Sequence, residues 1–443
     1  MEYISQNQKE KKEMLETLGI ECEDELFDVI AAQLKAKELK ISSGQSEQEL
    51  VDVFKKLASK NKTLISFRGA GIYDHYIPAL VGEITGRSDF RTAYTPYQAE
   101  ASQGTLQSIF EYQSMISALT ALDVSNASLY DGASATAEAT MLALRASGKN
   151  KILISSALNP QYAQTVKTYL KNSKAEIVML NLSCMGTIEK SSVEANLDEN
   201  TAAVIVQSPN YFGIIEDMDT LSSTAKSGNA LFIAVVNPIS LGFFKAPGEY
   251  GADIAVGEGQ ALGNPMSFGG ATFGFMSVKK AFEWKMPGRI AGQTVDKDGK
   301  RGFVLTLQSR EQHIRREKAT SNICTNAALN ALAGCVYLSG WGNEGLKKLA
   351  LTNIAKARYA FNKIKGIEGF SAKFENAVFF HEFVIKTEKD IKKITKMLIK
   401  NGFLPPLELS SYCKQYENCL LFCVTEQRTK EEIDRLAEIL AKI

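Results

Sequence analysis

The middle of the chain contains the run Leu231-Phe-Ile-Ala-Val-Val236, in which no polar residue interrupts the apolar ones. The run is short and half of its residues are β-branched, which predicts a β-strand rather than a helix. A strand that is apolar at both of its alternating positions is buried on both faces, as in a parallel sheet between two helix layers. We therefore expect this strand to lie inside an α/β fold.

Similar short apolar runs flank this one on both sides. They are Lys151–Ser155, Ala175–Leu182, Ala202–Gln207, Ile254–Val256 and Thr272–Val278. Their starts are roughly 20 to 30 residues apart, and helical or turn-rich stretches fill several of the gaps, as βαβ units require. Residues 104–122 add an amphipathic helix. The pattern predicts a large domain over residues 63–320, with a mainly parallel sheet covered by helices.

The two ends of the chain differ from this central region. Residues 1–62 are mostly polar, and Ser46 followed by Glu49 is a capping-box pattern, so we expect a helical arm. Residues 321–443 predict a small α+β domain. Its expected helices cover 325–338, 343–364, 388–400 and 430–443, and its expected strands are Ala377–Ile385 and Cys419–Thr425. The glycine-rich, charged segment 287–302 predicts an exposed loop.

The composition is typical of a globular protein. With 443 residues, 45% apolar and 23% charged, the chain is long enough for two or three domains. Its net charge of +1 gives no reason to expect nucleic acid or a membrane surface as a partner. The seven cysteines form no Cys-x-x-Cys pair, which indicates reduced thiols. The polar start lacks a signal-peptide pattern and no run approaches the roughly 18 apolar residues of a membrane span, so we expect a cytoplasmic protein.

Two glycine-containing motifs are candidates for phosphate binding. The first, Gly257-Glu-Gly-Gln-Ala-Leu-Gly263, has three residues before its last glycine, whereas a dinucleotide site has two. We therefore set the dinucleotide interpretation of this motif aside. The second opens an alanine-rich helix, and its candidate residues are Asp131, Gly132, Ala133 and Ser134. Free N–H groups at a helix start bind phosphate, but a plain N-cap by Asp131 or Ser134 explains the pattern equally well.

The histidines and one aromatic turn supply further candidates. His75, His313 and His381 lack the spacing of a shared metal site, and His381 lies in an apolar run that predicts a structural role. His75 follows Tyr73 in a polar aromatic cluster, which favours a functional loop. The turn Tyr94-Thr-Pro-Tyr-Gln98 offers hydroxyls at low entropic cost. Its proline is equally consistent with the end of an extended segment before a helix.

Together these motifs resemble one family, the alpha-type chains of the glycine cleavage system P-protein. The matching stretches are Phe67–Pro78, Tyr94–Gln98, Ser102–Gln107, Asn126–Ala133, Met266–Gly270 and Arg301–Asn326, of which the last is long and specific. The resemblance extends from near residue 1 to the C-terminus. It implies the pyridoxal-phosphate-dependent transferase fold type I, similar to aspartate aminotransferase, with a mainly parallel sheet in the large domain and a small α+β C-terminal domain.

The resemblance also implies an activity and partners. Such chains form one half of a two-chain oxidoreductase of glycine catabolism, glycine dehydrogenase (aminomethyl-transferring), as an α2β2 heterotetramer. The beta-type subunit carries pyridoxal phosphate as a Schiff base. Glycine loses its carboxylate on that cofactor, and its aminomethyl group passes to the lipoyl arm of the H-protein. The alpha-type chain is expected to hold no cofactor covalently, to hold no metal, and to be inactive alone.

The residues at the expected cofactor site support a non-catalytic role. The beta-type chain has a His-Lys-Thr motif before a glycine-rich run. The corresponding stretch here, Gly259–Gly270, has no lysine and places Gln260 in the lysine's position. An amide cannot form an imine with an aldehyde. The position that would hold an acid below the pyridine nitrogen carries the neutral Asn237.

Three hypotheses follow for the role of this chain. In the main one it lines the active site of the beta subunit across their interface and excludes water there. The candidate residues are Tyr73, His75, Tyr94, Thr95, Tyr97 and Gln98, together with the segment 287–302. In the second it is a purely structural partner. In the third it is a self-sufficient pyridoxal-phosphate enzyme with another lysine, although surface positions explain Lys245, Lys279 and Lys280.

Overall fold

A computed structural model describes residues 6–36, 40–411 and 414–443. Cys413 and the first five residues of the polar start lie outside the described residues. The chain divides into two compact units, residues 1–62 and residues 63–443. A further boundary near residue 320 stays a prediction.

Two α-helices lie in the described part of the first unit. Helix α1 spans Gln8–Leu18 and helix α2 spans Glu47–Ala58. The predicted capping box starts α2, because the Ser46 hydroxyl accepts the Glu49 N–H at 3.3 Å and the Glu49 carboxylate accepts the Ser46 N–H at 2.8 Å. The side chains thus satisfy backbone donors that a helix start leaves free.

The second unit alternates helices and strands along its length. Its helices are α3 Ala79–Thr85, α4 Gln103–Thr120, α5 Gly132–Ser147, α6 Pro160–Leu170, α7 Lys190–Glu194, α8 Met218–Ser227, α9 Gln312–Arg315, α10 Ala328–Lys365, α11 Ile391–Lys400 and α12 Lys430–Ala441. Its strands are β1 Ile65–Ser66, β2 Val124–Ser125, β3 Lys151–Ser155, β4 Glu176–Leu180, β5 Thr201–Ser208, β6 Leu231–Val236, β7 Ile254–Glu258, β8 Gly274–Val278, β9 Ile290–Val295, β10 Arg301–Thr306, β11 Phe370–Ala372, β12 Glu382–Thr387, β13 Phe403–Leu404, β14 Leu407–Glu408 and β15 Cys419–Cys423. The two expected helices 325–338 and 343–364 form one element, α10, which is broken at Gly342.

Seven of the described strands form the main sheet, in the order β2-β8-β7-β6-β5-β3-β4. The strands from β4 to β7 are parallel, and β8 and β2 add an antiparallel edge. The register pairs Val236 of β6 with Gly257 of β7, so the residues after these two strands lie side by side. The structure confirms the predicted mainly parallel sheet.

Strand β6 shows why the sheet is buried on both faces. Phe232 and Ala234 pack into one apolar cluster, while Ile233 and Val235 pack into the cluster on the opposite face. All four are at most 2% exposed. Each alternate side chain therefore finds its own helix layer, as the unbroken apolar run requires.

A second, antiparallel sheet lies near the C-terminus in the order β11-β12-β15-β14. Its apolar cluster includes Phe383 and Phe422 from the strands, Leu398 from α11 and Leu436 from α12. Strand β1 pairs in parallel with β13, which ties the start of the second unit to this C-terminal α+β region.

Two local predictions were wrong. The segment 287–302 is not a loop throughout, because β9 and β10 form an antiparallel hairpin in which Ala291 and Phe303 are buried against Leu106 of α4. Within this segment only residues 293–301 are exposed. Their charged side chains favoured a loop for the whole segment, although apolar residues lie on either side of them. The strand expected at Ala377–Ile385 begins only at Glu382, so His381 lies just before β12.

Among the described residues, no helix has both the length and the apolarity that a bilayer crossing needs.

Candidate functional site

Gln260 lies two residues after β7 and is buried, at 2% exposure. Its Oε1 accepts the backbone N–H of Tyr73 at 2.9 Å, and its Nε2 donates to the Tyr73 carbonyl at 3.0 Å. Nε2 also donates to the Asn264 carbonyl at 2.7 Å. The amide therefore pairs with the Tyr73 backbone as a neighbouring strand would, and both of its N–H donors are used.

The four residues of the expected phosphate loop lie at the start of α5. Asp131 is the N-cap, and its Oδ1 accepts the Ser134 N–H at 2.6 Å. The Ser134 hydroxyl lies 3.1 Å from the Asp131 backbone N–H, which completes a reciprocal cap. Gly132 and Ala133 are the first two residues of the helix. The N-cap explanation of this motif is confirmed for Asp131.

A second carboxylate, that of Glu258, occupies the same helix start. Its Oε2 accepts the Gly132 N–H at 2.9 Å, and its Oε1 accepts the Gln260 N–H at 3.0 Å. The Thr272 hydroxyl also donates to Oε1. The side chain at the end of β7 thus fills the place where the free N–H groups of α5 point.

Asn237 follows β6 directly and lies beside Glu258 in the parallel register. Its Oδ1 accepts the Ile239 N–H at 3.0 Å, and its carbonyl accepts the Ser240 hydroxyl at 2.7 Å. The side chain therefore shapes the turn that follows the strand.

The lysines considered as alternatives have other partners. Lys245 Nζ lies 2.5 Å from Asp219, and Lys279 Nζ lies 2.5 Å from Asp253. Lys280 is exposed. None of these three lysines forms a hydrogen bond or ion pair with Gln260, so the part of the chain that the structure describes supplies no relocated amine at this site.

Tyr73 connects the Gln260 region to the C-terminal sheet. Its hydroxyl donates to Glu382 Oε2 at 2.8 Å, and the Ala70 N–H donates to Glu382 Oε1 at 2.6 Å. Glu382 is 3% exposed and has no cationic partner among the described residues. Burial raises its pKa to about 7, against the lowering effect of these two hydrogen bonds.

The two histidines near Tyr73 lie in the same buried cluster. His75 Nδ1 is 2.8 Å from Glu426 Oε2, and the Tyr76 N–H donates to Glu426 Oε1 at 2.6 Å. His381 packs its ring 4.4 Å from the Tyr73 ring, and neither of its ring nitrogens has a hydrogen-bond partner among the described residues. Burial lowers the pKa of His381 well below its usual value, so its imidazole is neutral.

Thr95 and Tyr97 belong to a second cluster, centred on Arg289. This guanidinium is 2% exposed and donates to the Tyr97 hydroxyl at 2.7 Å and to Thr95 Oγ1 at 3.3 Å. Its charge is balanced by Glu311, 3.3 Å away, and its carbon lies 4.8 Å from the centre of the Tyr97 ring. The planar fork of arginine thus holds the aromatic turn from one side.

Tyr94 and Gln98 point away from this cluster. Tyr94 is 87% exposed, and Gln98 is exposed at the start of a short helical turn. Tyr94 also lines a mostly apolar cavity of about 360 Å³, together with residues of α4 and the segment 325–332. The turn is therefore anchored through its buried side and open on the other.

The segment 325–330 links the two clusters. The Thr325 hydroxyl is 3.3 Å from that of Thr95, and the Asn330 carbonyl accepts a hydrogen bond from Asn264 Nδ2 at 3.2 Å. Asn264 in turn is bound by Gln260. The structure therefore connects the Gln260 region with the Thr95–Arg289 cluster through residues near the start of α10, whereas Tyr94 and Gln98 lie outside these contacts.

Sequence reasoning missed three residues of this region: Glu258, Arg289 and Glu382. Glu258 lies within the glycine motif that we set aside as a dinucleotide site, and a carboxylate at the end of a buried strand was the available signal. Arg289 lay in the segment expected to be an exposed loop. Glu382 follows His381 in an apolar run, where a lone acid is unusual.

The residues present do not fit pyridoxal phosphate. A cofactor of this kind needs a lysine amine, a free anion site for its phosphate and an acid at its ring nitrogen. Here the amine is replaced by the bound amide of Gln260, the anion site is filled by Glu258, and the ring position is the neutral Asn237. No group of three or more His, Cys, Asp or Glu side chains in the described ranges could hold a metal ion.

Comparison with known proteins gives consistent relatives. The chain is 72% identical to a probable glycine dehydrogenase (decarboxylating) subunit 1 of Endomicrobium trichonymphae over 442 residues, covering 100% of both chains. It is 48% identical to the protein of the same name from Geotalea uraniireducens, covering 99% of each.

Solved structures agree in fold. A crystal structure of glycine decarboxylase (P-protein) of the glycine cleavage system, in inhibitor-bound form, matches with a TM-score of 0.88 at 39% identity and covers 100% of both chains. A sphingosine-1-phosphate lyase of Burkholderia pseudomallei matches with a TM-score of 0.66 at 14% identity over 93% of each chain, which shows the fold alone. The sequence also matches the family described as glycine cleavage system P-protein over residues 1–440. The chain belongs to the glycine cleavage system P-protein family.

Proposed function

We propose that this chain is the non-catalytic subunit of a two-chain glycine decarboxylase. With a beta-type subunit that carries pyridoxal phosphate, in an α2β2 assembly, it serves to decarboxylate glycine and to pass the aminomethyl group to the lipoyl arm of the H-protein. The 72% identity to a protein named subunit 1 over the whole chain supports this proposal. The cytoplasm, where the acceptor and the amino acid would meet, is the proposed location.

One observation carries the assignment of the chemistry to the other subunit. The amide of Gln260 is buried and is paired with the Tyr73 backbone on both sides. It supplies no nitrogen nucleophile, and it is held too firmly to leave room for one. The electron-withdrawing cofactor, when present, has to come from the partner.

The contribution of this chain is then to complete the partner's site. Tyr94 is exposed, while the adjacent Thr95 and Tyr97 are held by Arg289. A rigid turn with an open aromatic side chain can cover a neighbouring active site at low entropic cost and keep water from a carbanion-like centre. Tyr73 and His75, by contrast, are buried in internal contacts and act by fixing the loop that carries them.

The test is reconstitution with the beta-type subunit and lipoylated H-protein. We expect glycine-dependent release of CO₂ only when both chains are present. Tyr94→Phe and Tyr97→Phe are each expected to lower aminomethyl transfer by about tenfold, because each removes a hydroxyl from the turn. Tyr169→Phe, which changes an exposed tyrosine on α6, is the matched control.

The outcome separates this role from a purely structural one. If the assembly forms normally and both tyrosine variants transfer the aminomethyl group at the wild-type rate, the turn takes no part in the reaction. Decarboxylation by this chain alone would reject the assignment altogether.

A further inference from the structure

Two carboxyl side chains of this chain already occupy the start of α5. The Gly132 N–H donates to Glu258 at 2.9 Å, and the Ser134 N–H donates to Asp131 at 2.6 Å. The helix is 16 residues long, so its aligned peptide dipoles favour an anion at this end. Two carboxylates therefore hold the N–H groups that would otherwise receive a phosphate.

The Glu258 side chain has further contacts that fix it in place. Its second oxygen accepts the Gln260 N–H at 3.0 Å and the Thr272 hydroxyl. On the other side of the helix start, the Tyr162 hydroxyl lies close against Gly132. A phosphate entering here would have to displace a hydrogen-bonded carboxylate and would meet the negative charge of Asp131 as well.

We infer that the Glu258 side chain occupies the place of a phosphate and bars phosphorylated cofactors from this chain. The inference goes beyond the proposed function, because it predicts that the missing lysine is not the only barrier. Restoring an amine at residue 260 restores reactivity toward an aldehyde, but the phosphate of the cofactor still has no site.

The experiment compares pyridoxal phosphate with pyridoxal, which has the aldehyde but no phosphate. Both are titrated into the full-length chain as wild type, as Gln260→Lys and as the double variant Gln260→Lys with Glu258→Ala. Binding is read from Schiff-base absorbance and from borohydride fixation at residue 260, located by peptide mass. Wild type gives the background from surface lysines.

We expect the single variant to bind the two aldehydes with affinities that differ by less than about threefold, because the phosphate makes no contact. The double variant is expected to prefer pyridoxal phosphate by about tenfold or more, because the backbone N–H groups of Gly132 and residue 260, which Glu258 binds in wild type, are free to bind the phosphate. A preference of about tenfold already in Gln260→Lys would overturn the inference, and so would equal affinities in the double variant.

A second measurement does not depend on residue 260. Inorganic phosphate is expected to raise the melting temperature of Glu258→Ala relative to chloride at equal ionic strength, and to leave wild type unchanged. Glu216→Ala removes another buried carboxylate, far along the sequence, and is the matched control. If Glu258→Ala does not fold, Glu258→Ser replaces it in both experiments, because its shorter side chain also leaves the Gly132 N–H free. No phosphate effect in any Glu258 variant rejects the inference, while the reconstituted activity tests the proposed function separately.

Discussion

At the scale of single residues, the exchange of an amine for an amide changes what position 260 does. A lysine has donors only, whereas glutamine has donors and an acceptor on one rigid plane. Gln260 uses that plane to pair with both the N–H and the carbonyl of Tyr73. The residue is a structural clamp between the end of β7 and the loop that carries Tyr73.

The clamp predicts the cost of removing it. Gln260→Leu keeps a similar volume but leaves the Tyr73 N–H and carbonyl and the Asn264 carbonyl without partners. We expect the free energy of unfolding to fall by about 2 to 4 kcal/mol, measured by urea denaturation. Gln98→Leu, at an exposed glutamine, is expected to change it by less than about 0.5 kcal/mol. Equal effects of the two variants would contradict the clamp.

At the scale of elements, the break in α10 is the clearest local device. Gly342 has φ 60° and ψ −175°, a conformation that residues with a Cβ rarely adopt, and no atom lies within 4 Å of a Cβ built there. The break is thus set by backbone conformation and not by crowding. It separates the two stretches that the sequence predicts as distinct helices.

A pair of glycine substitutions tests this explanation. Gly342→Ala is expected to lower the free energy of unfolding by about 1 to 3 kcal/mol, since it forces a side chain into that conformation. Gly340→Ala lies in the regular helix, where a Cβ would only touch Leu80 at 3.4 Å. We expect that control to be neutral or stabilising by up to about 1 kcal/mol. A neutral Gly342→Ala would show that the backbone there is free to straighten.

The elements that could be predicted from the sequence are those with a local signal. The apolar run of β6 predicts a strand with the bounds that the structure has, and the capping box at Ser46 predicts the start of α2. The β9–β10 hairpin was missed because its tip, residues 293–301, is polar. The burial of the rest of the hairpin depends on α4, whose Gln103 contacts Phe303 across 200 residues of sequence. Strand β12 starts late because the residues before it bond to a different segment: the Ile215 N–H donates to the Val378 carbonyl, and the Phe380 N–H donates to the Gly213 carbonyl.

The candidate site was only partly predictable for a similar reason. The loss of lysine at residue 260 is visible in the sequence, because it concerns residue type. The pairing of Gln260 with Tyr73 spans 187 residues, and the pairing of Glu258 with Gly132 spans 126. No periodicity or spacing reports such contacts, so the roles of Glu258, Arg289 and Glu382 emerge only from the fold.

At the scale of the whole molecule, three buried carboxyl groups share one electrostatic situation. Glu216, Glu258 and Glu382 form no ion pair with the described residues, and burial raises the pKa of each to about 7. In the unfolded chain each carboxyl group ionises near its ordinary pKa of 4.5. Between these values the folded state holds protons that the unfolded state has released. Stability from these groups is therefore complete below about pH 4.5 and is lost as pH rises through about 7.

Comparing the stability of wild type with that of Glu382→Gln isolates the contribution of this one carboxyl group. The comparison is needed because the neutral His381 affects the pH dependence of stability in the opposite sense below its usual pKa. We expect the stability advantage of wild type over Glu382→Gln to shrink by about 2 kcal/mol as pH rises from about 5 to 7. Urea denaturation across this range measures it. Glu199→Gln, at an exposed position, serves as the control, and an advantage that stays constant with pH would refute the assignment.

The pairing of Gln260 with the Tyr73 backbone also bears on how such a subunit could change over generations. A lysine at residue 260 would leave the Tyr73 loop without its hydrogen bonds to residue 260. A rearranged Tyr73 loop would leave the Gln260 amide without its partners. We expect each such intermediate to be less stable than this chain, because buried polar groups lose their partners. Glu258 requires a further change of its own. Single substitutions therefore do not lead back to an independent enzyme, and the division of roles between the two subunits is difficult to reverse.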